Sequence, residues 1–284
     1  MNKLGIENIF ANSVSALAGG PPLMEKTLLD VVFASERRKN VLLILQNGPK
    51  EMESILKSLQ TTRQALLPQM RILKDHNLIY QSGDSYGLKN TGKLLANKMK
   101  PFLGTVKTME ENSNYLITHK LDSIPEHFLN RLCEVDDCKI IDPGHINAHQ
   151  LNADFLEEAL TSKSVYFVYT FMHPACNSIL QQLLDKGIEV SVIDSKELVE
   201  KLITEIYEVC QYFLSYKNFK IFRYKRDINI SSLTVTDNGF LLRLRLSNNE
   251  FSNKQLVCLS PKGRKWGKDL YDHYLKDSTL ITEI

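Results

Sequence analysis

Gln64 and Arg71, seven residues apart, are of the types that read base edges, since glutamine can bond bidentately to adenine and arginine to guanine. Between and around them Leu66, Met70 and Leu73 recur at i, i+4 and i+7. That spacing predicts a helix to about His76 with those three buried and Gln64, Pro68, Arg71 and Asp75 turned outward. Thr61 or Thr62 can cap this helix, and Thr61, Thr62, Arg63 and Gln69, with the helix N-terminus itself, suit phosphates. Pro68 removes one backbone bond and is expected to kink the helix, at a cost of about 3 kcal/mol if nothing compensates. Tyr80, Ser82, Ser85, Tyr86 and Lys89 follow in two short strand-like runs and are candidate contacts to a nucleic-acid backbone.

Other constellations carry less chemistry. A phosphodiesterase nucleophile of the phospholipase-D type needs His with Lys two residues on. Here His119 and Lys120 are adjacent, and His173 is followed by Pro174-Ala175. No catalytic residue is assigned and an enzyme is not expected. Cys133 and Cys138, with His145 and His149 nearby, lack a second pair of ligands at matching spacing, so neither a metal nor a cofactor is expected. The five cysteines, odd in number and scattered, argue for a reducing compartment rather than a secreted disulfide framework. His145, Tyr169, His173 and Asp194 each follow a strand-like run, where open α/β sheets collect ligands, and form a candidate effector pocket. Loop turns and a satisfied histidine would account for the same residues. Trp266 with Leu270, Tyr271 and Tyr274, and the stripe Leu198, Leu202, Ile206, Val209 and Phe213, read as core or dimer packing.

The elements that would position these residues follow from periodicity. Helical patterns at 25–34, 37–46, 50–59 and about 62–76 lead into strands at 78–82 and 85–88 around Gly83-Asp84, then a helix from Asn90 toward Thr118. Two helices, a tight turn, a third helix and a two-stranded ribbon make a winged helix-turn-helix, in which one helix fits the major groove and the ribbon reaches beside it. From about Ser123 helices and strands alternate. Ser164–Phe171 and Glu189–Ile193 are continuous buried-strand runs around a helix at 177–186, a βαβ unit with parallel pairing. A long helix at 195–216, strands at 219–224, 233–236, 240–246 and 255–259, and a last helix at 261–275 complete the chain. The expected division is an arm at 1–23, a winged helix at 24–100, a connecting helix at 101–122 and an α/β domain at 123–284.

Charge follows this division. From Glu36 to Lys100 there are twelve Lys/Arg against five acids, a surplus of seven in a chain whose net charge is +2. The surplus lies where a polyanion would be held. A solvated face, or a winged helix that docks protein instead, would also carry it. No run of eighteen apolar residues suggests a membrane span, and Glu7 interrupts any secretion signal, so a cytoplasmic protein is expected.

Residues 41–95, with Gly48-Pro49, Ala65-Leu66-Leu67-Pro68, Asn77-Leu78-Ile79 and Tyr86-Gly-Leu-Lys-Asn-Thr-Gly92, resemble the ArsR-like winged-helix domain of archaeal methanogen transcriptional regulators. The C-terminal stretch, with Ile124-Pro125, His173-Pro174, Lys186-Gly187-Ile188 and Ser260-Pro261…Trp266-Gly267…Leu270-Tyr271…Tyr274, resembles the methanogenesis-regulator effector domain. Together the resemblances span about residues 25–280. They imply an α+β protein, an N-terminal winged helix plus a C-terminal α/β domain that is phospholipase-D-like in outline, as in archaeal TrmB-type regulators. They also imply a homodimer acting on double-stranded DNA, whose second domain binds a small-molecule or protein effector.

Overall fold

The computed structural model describes residues 27–135, 138–144, 152–171 and 175–283. The expected arm at 1–23, and the candidates His145 and His173, lie outside the described residues. The chain divides into a unit ending at Asn97 and a unit from Lys98 to Ile284.

In the first unit α1 (Leu28–Phe33) begins at Thr27, whose hydroxyl accepts from the Asp30 amide while the Asp30 carboxylate accepts from Thr27, a reciprocal cap. α2 (Glu36–Ile44) is followed by a 3-10 turn and Gly48, whose φ of +114° excludes most other residues. β1 (Lys50–Glu51) precedes α3 (Met52–Leu59), so the helix expected from Lys50 starts two residues later. Gln60 takes a left-handed conformation, Thr62 caps the next helix, and α4 (Arg63–Asp75) runs on through Pro68 as one element. β2 (Ile79–Ser82) and β3 (Ser85–Leu88) form the hairpin, with Gly83 at positive φ in the first turn position. β3 is central in a three-stranded sheet of order β1-β3-β2. Leu66, Met70 and Leu73 are buried as their spacing requires.

α5 (Asn90–Glu111) contains the point of division, and α6 (Ser113–Thr118) and α7 (Glu126–Leu129) follow. The second unit is built on β4 (Lys139–Ile141), β5 (Ser164–Tyr169), β6 (Glu189–Asp194), β7 (Phe219–Tyr224), β8 (Ser232–Val235), β9 (Phe240–Arg243), β10 (Gln255–Cys258) and β11 (Ser278–Ile281). They form one sheet of order β11-β7-β6-β5-β8-β9-β10-β4. The pairs β5–β6 and β6–β7 are parallel and the rest antiparallel, which bears out the βαβ unit expected around residues 164–193.

Helices cover both faces of this sheet. α8 (Ala153–Thr161), α9 (Cys176–Asp185), α10 (Lys196–Glu205) and α11 (Tyr207–Leu214) are joined to one, and α12 (Pro261–Lys276) to the other. Alternate strand residues therefore go to different cores: Val165, Phe167, Val190 and Val192 to the α9–α11 side, Val168 and Ile193 to the α12 side. Trp266 is buried beneath α12 and donates from Nε1 to the Phe128 carbonyl at 3.1 Å, so it is core. Gly267 is there because α12 lies directly on β9: a Cβ would come within 2.7 Å of Phe240 Cβ.

Further features of the second unit differ from the expectations above. The helix expected over 195–216 is two helices, interrupted at Ile206 with φ −139° and ψ 39°. β11 completes the sheet edge after α12. Cys138 and Cys258 form a disulfide across the β4–β10 pair, 120 residues apart in sequence, and Cys133, Cys176 and Cys210 are free. The cysteines, expected to be reduced, thus include one bridged pair, because strand pairing rather than spacing in sequence brings its two sulfurs together.

Candidate nucleic-acid interface

The turn Gln60-Thr61-Thr62 sets α4 against α3, and the buried stripe Leu66, Met70 and Leu73 fixes how α4 is rotated. The opposite side is left to solvent: Gln64, Pro68, Arg71 and Asp75 are all exposed. Between the two base-reading candidates Leu67 is also exposed, at 45%. An exposed leucine in the middle of a polar helix face was the signal available in the sequence, and it was missed. Pro68 cannot donate to the Gln64 carbonyl one turn back, and both residues are exposed.

The remaining candidates divide by what already engages them. Thr62 Oγ1 caps α4 by accepting from the Ala65 amide at 3.3 Å, and Thr61 Oγ1 accepts from Arg37 Nε at 3.3 Å. Arg63 donates to Asp84 in the hairpin turn at 2.8 Å and stands 3.9 Å from Glu53. It thus ties the start of α4 to the wing, and a phosphate there would compete with two carboxylates. Gln69 is turned inward and accepts from Arg38 Nη1 at 2.8 Å. Arg38 is itself buried and donates to the carbonyls of Val31 and Asp30 at the end of α1. One of the twelve basic residues is therefore structural, and Gln69 is its anchor rather than an open phosphate contact.

In the hairpin Tyr80 and Ser82 are exposed and Ser85 is half-buried. Tyr86 is 3% exposed, contrary to its expected role as a backbone contact. It sits in the central strand, paired to Lys50 on one side and Gln81 on the other, and its ring belongs to the core. Lys89 Nζ donates to Asn77 Oδ1, and Lys74 Nζ to Gln81 Oε1, each at 2.8 Å. Both ammonium groups stay at the surface beside the hairpin. Lys57, in the last turn of α3, is exposed as well. Lys57 and Lys74 belong to the same basic surface and were not singled out from the sequence.

In the second unit β5 and β6 end side by side, so that Tyr169 and Asp194 are register partners. Both line a narrow cavity under α9–α11, of about 550 Å³ with its open mouth included. The stripe Leu198, Leu202, Ile206, Val209 and Phe213, expected to be packing, lines the same cavity. Asp194 is 3% exposed, its Oδ1 has no hydrogen-bond partner, and burial pushes its carboxyl up to about 8. Burial, and next to it the Asp194 charge, push the Cys176 thiol up to about 12. Among the described residues no group of three or more His, Cys, Asp or Glu gathers as a metal site, and no helix is long and apolar enough to cross a membrane.

Comparisons with known proteins agree on the kind of chain this is. Residues 26–107 match the family model described as the N-terminal domain of the methanogenesis regulatory protein FilR1, and residues 148–277 match that of its middle domain. The methanogenesis regulatory protein FilR1 of Methanothrix harundinacea (strain 6Ac) is 21% identical over 259 residues, which is 89% of this chain. The chain spans 58% of the length of that relative. Among solved structures, the archaeal chromatin protein TrmBL2, described as showing a novel mode of DNA binding, aligns with a TM-score of 0.40 and 11% identity, covering 89% of this chain and 97% of its own. The phospholipase D family member Nuc from Salmonella typhimurium aligns with a TM-score of 0.35 and 11% identity, covering 52% of this chain and 97% of its own. At those scores neither structure carries an argument about this one.

Proposed function

Because this chain belongs to the FilR1 family of methanogenesis regulatory proteins, whose two domain models together match about three quarters of it, we propose that it is a DNA-binding transcriptional regulator whose C-terminal unit senses an effector. The observation that carries the reading is the outward face of α4, with Gln64, Leu67 and Arg71 exposed beside a hairpin in the most basic part of the chain. Laid in the major groove, that face sets Gln64 and Arg71 against base edges and Leu67 against a thymine methyl. Thr61, Thr62, Lys57, Lys74 and Lys89, with Tyr80 and Ser82 on the hairpin, then lie toward the flanking phosphates. A homodimer would present two such helices to half-sites about one turn of duplex apart. The protein acts in the cytoplasm, where its DNA is, and by binding rather than by catalysis.

The test is retention of genomic DNA fragments by the purified protein, followed by affinity on the recovered site across a salt series. Neutralised phosphates release counterions, so log affinity should fall linearly with log salt, by about 0.9 for each phosphate held. Arg71→Ala should relax preference at one base position, by ~1–3 kcal/mol, while Lys89→Ala should weaken binding about equally on all sequences. A protein without salt-dependent DNA affinity would instead be an adaptor using its winged helix for protein contacts. Unchanged selectivity in Arg71→Ala would mean that α4 is not the reading helix.

A further inference from the structure

The cavity beneath α9–α11 has a chemistry of its own. Its wall is apolar: residues such as Leu180, Val192, Leu198, Phe213 and Ile221 make most of it. Among the described residues its one carboxylic acid is Asp194, at the end of β6, with Oδ1 buried and without a partner. Asparagine would occupy the same space without the penalty of an ionisable group. At neutral pH a buried carboxyl in apolar surroundings keeps its proton unless a cation comes to it. No basic side chain lines the cavity among the described residues. Arg243 lines an adjoining space beyond Tyr169, and its Nη1 donates to Ser232 Oγ at 3.5 Å.

We propose that this cavity is the effector site, and that it takes a small amphipathic amine. The alkyl or aryl body lies along the apolar wall, and the protonated nitrogen donates to Asp194 Oδ1. Charge-assisted hydrogen bonds of this kind are about twice as strong as neutral ones, which favours an ammonium over a hydroxyl of the same shape. A carboxylate ligand is disfavoured because no basic side chain among the described residues lines the cavity to pair its buried charge. The identification rests on the reading of this unit as an effector domain, but the binding can be measured apart from it.

Binding is coupled to a proton. In the empty site Asp194 is protonated at pH 7, held so by burial, with a pKa of about 8. An alkylammonium keeps its own proton well beyond that, as lysine does near ~10.4. Forming the ion pair therefore sends the Asp194 proton to solvent. The other groups facing Asp194 are Tyr169 on β5, Cys176 on α9 and Cys210 on α11, all shifted upward by burial, and Arg243 on β9 behind Tyr169. On β7 the register partner Arg223, and on α10 Lys196, are exposed.

The experiment is a ligand-observed NMR titration of the full chain with hexylamine, 1-hexanol and hexanoate. Hexylamine should bind at least about tenfold tighter than hexanol, with hexanoate weakest. Its affinity should rise about tenfold per pH unit until the Asp194 pKa of about 8 is passed, then level off. Asp194→Asn, which removes the charge and keeps the shape, should abolish both the preference and the pH dependence. Tighter binding of hexanoate would overturn the proposal and point to Arg243, as would an Asp194→Asn variant that still prefers the amine. DNA affinity with and without bound hexylamine is the separate readout. Amine binding that leaves DNA affinity unchanged would uphold the site and refute the effector role.

Discussion

Replacing Asp194 by asparagine should stabilise the empty protein, by an amount that grows as the pH rises from about 4 to about 8. In the folded chain the carboxyl keeps its proton up to about 8, because burial disfavours the charge. In the unfolded chain it ionises near ~3.9. Between those values the folded state binds more protons than the unfolded state, so stability falls with rising pH, by about 1.4 kcal/mol per unit. From about pH 4 to pH 7 that amounts to about 4 kcal/mol, and water reaching the carboxylate by the cavity mouth would bring it to ~2–4 kcal/mol. Asparagine does not ionise and so removes the slope. At or below about pH 4 the acid is neutral in both states, and the two proteins should differ by no more than ~1 kcal/mol, the worth of a hydrogen bond. Near neutrality the gain should raise Tm by roughly 5–15 °C, at ~2–4 °C per kcal/mol for a unit of this size. Scanning calorimetry of both proteins across this pH range measures it. A difference that stays constant from acid to neutral pH would refute the reasoning, since it would mean that Asp194 is ionised and partnered in the folded chain.

Other consequences are as direct. Arg38→Met should cost ~2–4 kcal/mol in a urea titration, because it leaves the α1 carbonyls and the Gln69 amide oxygen buried or half-buried without their donor. Thr62→Ala should cost about 1 kcal/mol by removing the α4 cap, and Thr62→Asn should restore most of it; equal stability of all three would place the start of α4 elsewhere. With Cys138 and Cys258 joined, three thiols rather than five should react with a thiol reagent in the denatured, unreduced protein. Five reactive thiols in protein prepared without reductant would exclude the bridge.

The parts of this chain that were legible in its sequence are those set by neighbours in sequence. The winged helix is local: the turn at Gln60-Thr61-Thr62, the stripe Leu66–Met70–Leu73 and the Gly83-Asp84 hairpin each act within a few residues, and each appears where its spacing puts it. Gln69 and Tyr86 were misplaced because their surroundings are not local. Gln69 is turned in by Arg38, 31 residues earlier, and Tyr86 is buried by β1, whose two residues carry no periodic signal. The Cys138–Cys258 pair fails to show for the same reason at a separation of 120 residues.

The cavity shows a stricter limit. Leu198, Leu202, Ile206, Val209 and Phe213 form one unbroken apolar stripe at helical spacing, which says that these residues avoid water but not what they face. A packed core and the wall of an empty pocket draw on the same residue types. What separates them is the break at Ile206, which no glycine or proline announces: it turns one long helix into two, and the space lined by the stripe lies beneath them. Asp194 was the one residue that could have raised the question. An acid at the end of a strand reading Glu-Val-Ser-Val-Ile-Asp must reach solvent, find a cation or keep its proton. In the folded chain it keeps its proton and leaves Oδ1 without a partner, and that unmet hydrogen bond, more than the size of the cavity, is the reason to look for an amine.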